Sequence, residues 1–278
     1  MASMNDIKAR MKSVTGTMQI TKAMELVASS KLRRAKLGVE GARPYLSVSE
    51  QAIRSLLSIR DLKDSPCLKH GNGPTLYLVI AGDRGLAGGY NSNVFRLTAT
   101  LAQQAEDAVY LPIGKKALEH CRHRALPLWS ENYPEVADVG VGSCMTLATD
   151  VYRAYMEGKL HAVVLVYTEF TSMMTQTPMY KTLLPLSSPG EQLSQECEIL
   201  EDPEELVASV LPSYLGGLIH LAVCESLAAE SGARRTAMNA ASNNAKEMMD
   251  TLTLRYNQAR QAVITQEITE IVSGAEAL

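Results

Sequence analysis

Residues 81–91, AGDRGLAGGYN, place glycines at 82, 85, 88 and 89 just after an apolar run. A glycine-rich turn between a strand and a helix can cradle phosphate, because backbone N–H groups reach the anion unobstructed. The spacing does not follow through. A dinucleotide fingerprint needs G-x-G-x-x-G, whereas this stretch reads G-x-x-G-x-x-G-G. A P-loop ends in Gly-Lys-Ser or Gly-Lys-Thr, whereas Gly89 precedes Tyr90. An acidic ribose partner about 20 positions on could only be Glu106 or Asp107, and both abut the next apolar run. The preferred reading is a tight turn or contact loop built on Asp83, Arg84, Gly85, Gly88 and Gly89. A nucleotide-binding α/β protein with helical extensions is the alternative. His120, Cys121 and His123 lack further ligands at zinc spacing and read as exposed helix-end residues. His70, His161 and His220 are isolated, and no Gly-x-Ser-x-Gly elbow occurs. Glu201, Asp202, Glu204 and Glu205 suit the N-terminal dipole of a helix rather than paired-carboxylate catalysis. Cys67, Cys121, Cys144, Cys197 and Cys224 are dispersed, odd in number and without C-x-x-C, which reads as reduced thiols. No metal, cofactor or catalytic group is expected.

The elements that carry these residues fall into three segments of a 278-residue chain, 46 % apolar and only 5 % aromatic. Residues 1–60 read as a long helix, with a kink or break expected between Gly38 and Pro44. Ile7, Met11, Val14, Met18, Thr21, Glu25, Ala28, Leu32 and Ala35 form one stripe at alternating four-three spacing, with Thr21 and Glu25 as weak points. Ile20, Ala23, Met24 and Val27 form a second stripe, so one face can meet a partner helix and the other a different subunit or domain. Residues 203–278 read as a second long helix with possible bends at Gly216, Gly217 and Gly232. Its stripe runs through Leu227, Ser231, Met238, Ala241, Ala245, Met248, Leu252 and Ala259. A two-helix coiled coil of the chain ends is preferred over a simple bundle. Between them, residues 61–202 alternate near-continuous apolar runs (75–82, 108–114 and 161–170) with helical stretches (91–104, 115–122 and 144–157). That is the pattern of a Rossmann-like α/β domain with parallel strands covered on both faces. Residues 179–186 and 197–200 read as added strands. The net charge is +7 over residues 1–60, −2 over 61–195 and −8 over 196–278. The basic head lacks interleaved aromatics, so nucleic acid is not an expected partner. No uninterrupted apolar run approaches the roughly 20 residues of a membrane span, and no signal-peptide core is present, so cytoplasmic residence without lipid insertion is expected.

Two longer stretches are more specific than any short motif. ITKAMELVASSKLRRA, residues 20–35, is very similar to the N-terminal signature of the gamma subunit family of F-type ATP synthases. NQARQAVITQEITEIVSGAEAL, residues 257–278, resembles that family's C-terminal signature. The glycine loop resembles the family's too, with Gly82 and Ala87 where Ser and often Cys are expected. The resemblance implies a central rotor shaft. Its terminal helices form an antiparallel left-handed coiled coil inside a hexamer of alpha and beta subunits. Its α/β domain meets the epsilon subunit and the c-subunit ring at the cytoplasmic face of the cell membrane. Such a subunit is peripheral and makes or breaks no bond. By the same resemblance, Arg260 and Gln261 meet a catch loop of the beta subunit. Lys22, Met24, Arg33, Arg34 and Lys36 pass that subunit's acidic lever. Packing within the coiled coil stays open for Met24, and plain solvation for Arg33 and Arg34. Ile264, Ile268, Ile271, Val272, Ala275 and Leu278 fit a hydrophobic bearing.

Overall fold

The computed structural model describes residues 4–57, 62, 65–173, 175–187 and 202–276. The expected strand at 197–200, Cys197, Glu201 and Leu278 lie outside them. The chain divides into two units, Met1–Ala28 with Arg235–Leu278, and Ser29–Arg234. Helix α1 (Met4–Leu57) and helix α5 (Pro203–Glu276) each contribute to both.

In the first unit, Thr21 Oγ1 lies 2.7 Å from Ser242 Oγ, the Asn239 amide donates to Glu25 at 3.3 Å, and the Thr15 hydroxyl donates to Met249 Sδ at 3.6 Å. Partner numbers climb as those on α1 fall, so the helices run antiparallel. Every first-unit member of the predicted α1 stripe is buried or half-buried, including both weak points. On α5 the buried positions are Met238, Ser242, Ala245 and Leu252, with Met249 half-buried. Met248, expected in the seam, is 54 % exposed. The four-three rhythm holds, but it passes through Ser242, whose polarity hid it from a reading keyed to apolar residues.

The second unit is built on a four-stranded sheet in the order β2-β1-β3-β4. Strands β1 (Thr75–Ile80), β2 (Ala108–Ile113) and β3 (Ala162–Phe170) are parallel, and β4 (Gln176–Leu184) runs antiparallel to β3. Helices α2 (Tyr90–Ala102), α3 (Lys115–His123) and α4 (Val141–Met156) fall where the sequence pattern put them. All six residues of β1 are buried, because helices cover both faces. Leu76, Leu78 and Ile80 face a core shared with Leu147 and Val151 of α4, Leu215 and Ile219 of α5, and Leu46 and Ile53 of α1. The alternate residues Tyr77 and Val79 meet Val94 of α2 and Cys121 of α3.

The expected break between Gly38 and Pro44 does not occur; α1 is a continuous helix with Pro44 inside it. A proline removes one i to i−4 hydrogen bond and costs about 3 kcal/mol. Burial of Leu46, Ile53 and Leu57 just beyond it offsets that cost. Nor do Gly216 and Gly217 interrupt α5. They are close-approach sites: a Cβ would come within 2.4 Å of Met145 Sδ at Gly216 and 2.9 Å of Tyr45 Cε1 at Gly217. Helix α5 also contains an 18-residue stretch of mean hydropathy 1.7, long and apolar enough to cross a membrane. This corrects the count of uninterrupted runs, since averaging tolerates small and weakly polar residues. That stretch is 56 % buried within the protein. Leu211, Leu215, Ile219, Ala222 and Val223 of α5 are core residues of the sheet unit.

Candidate partner-contact site

Glu25 anchors the candidate contacts of the first unit. Buried on α1, it accepts from the Lys22 ammonium at 3.0 Å as well as from Asn239. The Lys22 hydrogen bond, aided by Asn239 against the opposing effect of burial, holds its carboxyl below the usual range. Lys22 is thus held at its ammonium tip, with its side chain mostly exposed. Met24 is half-buried, while its stripe neighbours Ile20, Ala23 and Val27 are exposed. Of the second α1 stripe, Met24 alone is partly covered among the described residues.

On α5, every described position from 260 to 273 is exposed, including Arg260 and Gln261. Ile264, Ile268 and Ile271 recur at four-three spacing and are 46 %, 56 % and 71 % exposed, with Val272 beside them. A helix face of isoleucines held in water is unfavourable unless something covers it.

The remaining candidates belong to the second unit. Arg33 and Arg34 are exposed, and the Lys36 ammonium lies 5.2 Å from the centroid of the Phe170 ring, a cation–π contact. The glycine loop is tied down from several sides. The Asp83 carboxylate accepts from the backbone N–H groups of Lys115, Val136 and Ala137 at 3.2, 2.9 and 3.3 Å. Asn91 Oδ1 accepts from the Gly82 N–H at 2.9 Å, and Arg234 donates to the carbonyls of Arg84 and Gly85. A Cβ at Gly82 would meet the Glu230 carboxylate at 2.7 Å, so glycine there makes room for a carboxylate, not a phosphate. Gly88 has φ +58°. Leu86 has φ +61° and is 65 % exposed, a residue that sequence reasoning missed. The left-handed conformation is unfavourable for leucine, and this loop holds it nonetheless. Asp83 is thus a structural clamp, whereas Arg84, Gly85, Leu86, Gly88 and Gly89 form an exposed tip.

Glu225 was also missed. It is buried, and Arg43 reaches it at 3.3 Å. Burial raises its carboxyl above the usual range, and Arg43 opposes the shift. Carboxylates at 225 and 230 inside the apolar run LAVCESLAAESGA were the readable signal, since a buried charge needs a cation. His70 and His161 are not isolated but stacked, with ring centroids 4.5 Å apart. His120 is half-buried against Phe95 rather than exposed. Among the described residues no cluster of three His, Cys, Asp or Glu could hold a metal ion. Cys67, Cys121, Cys144 and Cys224 are free and buried, and burial pushes the Cys121 and Cys144 thiols up to about 11 and about 12. Thiols so raised are poor nucleophiles.

Comparison with known proteins completes the picture. The family model described as ATP synthase matches residues 3–278. The ATP synthase gamma chain of Ruminococcus albus is 43 % identical over 283 residues, covering 99 % of this chain and 98 % of the relative. The sodium ion specific ATP synthase gamma chain of Acetobacterium woodii is 37 % identical, covering 99 % of each. A chain of the Euglena gracilis mitochondrial ATP synthase shares the fold at 17 % identity, with a TM-score of 0.65 over 99 % of this chain and 94 % of that one. Full-length identity of this order, with both terminal signatures in place, settles the family: the chain belongs to the ATP synthase gamma chain family, the non-catalytic stalk subunits of that enzyme.

Proposed function

We propose that this chain works as the central rotor subunit of an F-type ATP synthase, turning inside a hexamer of alpha and beta subunits. The observation that carries this reading is the family match along residues 3–278. Rotation couples transmembrane ion flow to ATP synthesis and hydrolysis at the beta-subunit sites, while the chain itself makes or breaks no bond. The complex is membrane-associated, and the subunit belongs at the cytoplasmic face of the cell membrane as a peripheral part. It meets the epsilon subunit and the c-subunit ring through its α/β unit, without nucleic acid or lipid insertion.

The surfaces support specific roles. The exposed isoleucines at 264, 268 and 271, with Val272, suit an apolar bearing in a protein sleeve. Firm ion pairs there would create deep wells at fixed angles, whereas apolar contact lets a surface turn. Leu278 is assigned to the same bearing. Arg260 and Gln261, one step before it, offer transient polar contacts to a catch loop of the beta subunit. Lys22, Met24, Arg33, Arg34 and Lys36 face the acidic lever of that subunit. Attraction between these cations and the lever varies with angle, which transmits torque without a permanent bond. The exposed tip at Arg84, Gly85, Gly88 and Gly89, positioned by Asp83, is a further contact loop.

Co-expression with alpha and beta subunits tests the role. The expected result is a stable complex with one copy of this chain per hexamer that hydrolyses ATP only when the chain is present. A chain that stays apart from the hexamer would sink the reading. Arg260→Ala combined with Gln261→Ala is expected to slow coupled turnover while leaving assembly largely intact; loss of assembly would make the pair structural.

A further inference from the structure

We propose that the second unit carries a binding site for phosphate-bearing anions, in the cavity enclosed by α1, α5 and the glycine loop. The cavity measures about 550 Å³, within the size range of small-molecule sites. Its walls hold three carboxylates, each already engaged. Asp83 accepts from three backbone N–H groups, Glu135 from Lys115 at 2.7 Å, and Glu230 from Arg234. Lys31, Arg34 and Arg84 line the same cavity and make no ion pair among the described residues. The cavity therefore carries uncompensated positive charge.

Ser231 also lines the cavity. It is 5 % exposed, so only a small group reaches its hydroxyl from the cavity. Ala35, Leu227 and the exposed Ala137 line the same cavity. A phosphate group offers several acceptor oxygens, matches the planar donors of arginine, and is small enough to reach the serine hydroxyl. A carboxylate on the surface of a folded partner would meet the exposed cations but not Ser231. Gly85 and Gly88 do not line the cavity, so the anion is held by side chains and not by a glycine cradle.

Isothermal titration of the full chain with inorganic pyrophosphate, tripolyphosphate and ATP, at constant ionic strength in sodium chloride, tests the site. Saturable binding is expected, weakened about tenfold or more by Lys31→Gln with Arg84→Gln, as loss of charged hydrogen bonds predicts. Ser231→Ala should weaken it several-fold, and Lys31→Arg should retain it. Melting curves without ligand confirm that the variants fold. If ATP binds no better than tripolyphosphate, the phosphate chain alone is the ligand; if ATP binds at least tenfold tighter, the ligand is a nucleoside polyphosphate. Absence of saturable binding, or unchanged affinity in the double variant, overturns the proposal. So does binding of polyglutamate without pyrophosphate, which would assign the cavity to an acidic protein segment.

Discussion

Ile20, Leu26, Val27 and Leu254 stand exposed in the helical unit, whereas every residue of β1 in the α/β unit is buried. The helical unit has a single seam, and polar pairs interrupt it at Thr21 with Ser242 and at Glu25 with Asn239. The α/β unit buries both faces of its central strands β1 and β3 under helices, whereas in β4 only Leu183 and Leu184 are buried. Two helices can bury one stripe each, while a covered sheet buries nearly all its side chains. The difference lies in the core: the α/β unit holds extended hydrophobic clusters, whereas the helix pair has only its seam to bury.

Substitutions can break this contrast. Leu165→Ala, at a fully buried position of β3, should destabilise the α/β unit by about 2–5 kcal/mol in denaturant unfolding. Ser242→Ala should cost the helical unit about 1 kcal/mol, since Thr21 keeps its bond to the Met18 carbonyl. Adding Thr21→Val should restore most of that loss, because an apolar pair of similar shape replaces a buried hydroxyl; a double variant worse than the single would show that the pair stabilises the seam. Ile268→Ala should change the melting of the free chain by less than about 0.5 kcal/mol, yet impair turnover of the assembled complex.

The two buried glutamates sharpen the same contrast through pH. Glu25 has a lowered carboxyl, so its stabilisation is present above the ordinary carboxylate range and fades as pH falls through its folded value. Glu225 has a raised carboxyl, so stability declines as pH rises from the unfolded value through the folded one. Glu25→Gln should therefore flatten an acid-side loss, and Glu225→Gln should flatten a decline of opposite sign. Stability measured against pH for each variant decides; slopes of the same sign would refute the assignment.

The strands were legible because continuous β-branched and leucine runs have few alternatives, and α2, α3 and α4 fell within a few residues of their expected bounds. The α1 stripe was legible through Thr21 and Glu25, since spacing alone carried it. Met248 was misplaced because apolarity outweighed spacing, when Ser242 and Met249 kept the rhythm. The unbroken helix at Pro44 was not legible, because a local penalty was decided by distant burial at Leu46 and Ile53. The clamp at Asp83 depends on N–H groups more than 30 positions away, which no local pattern reveals. The stack of His70 on His161 likewise joins residues 90 or so positions apart.

The pairing of Thr21 with Ser242 spans 221 positions of chain, and this governs the order of events during synthesis. While the ribosome is still making α5, the seam of α1 has emerged and has nothing to lie against. The strands from Thr75 to Leu184 are complete well before Ser242 is made. Sheet pairing can therefore start early, whereas the helix pair closes only after Ser242 and its neighbours on α5 have emerged. During that interval the naked stripe of α1 is the segment most exposed to misassociation and most in need of a chaperone.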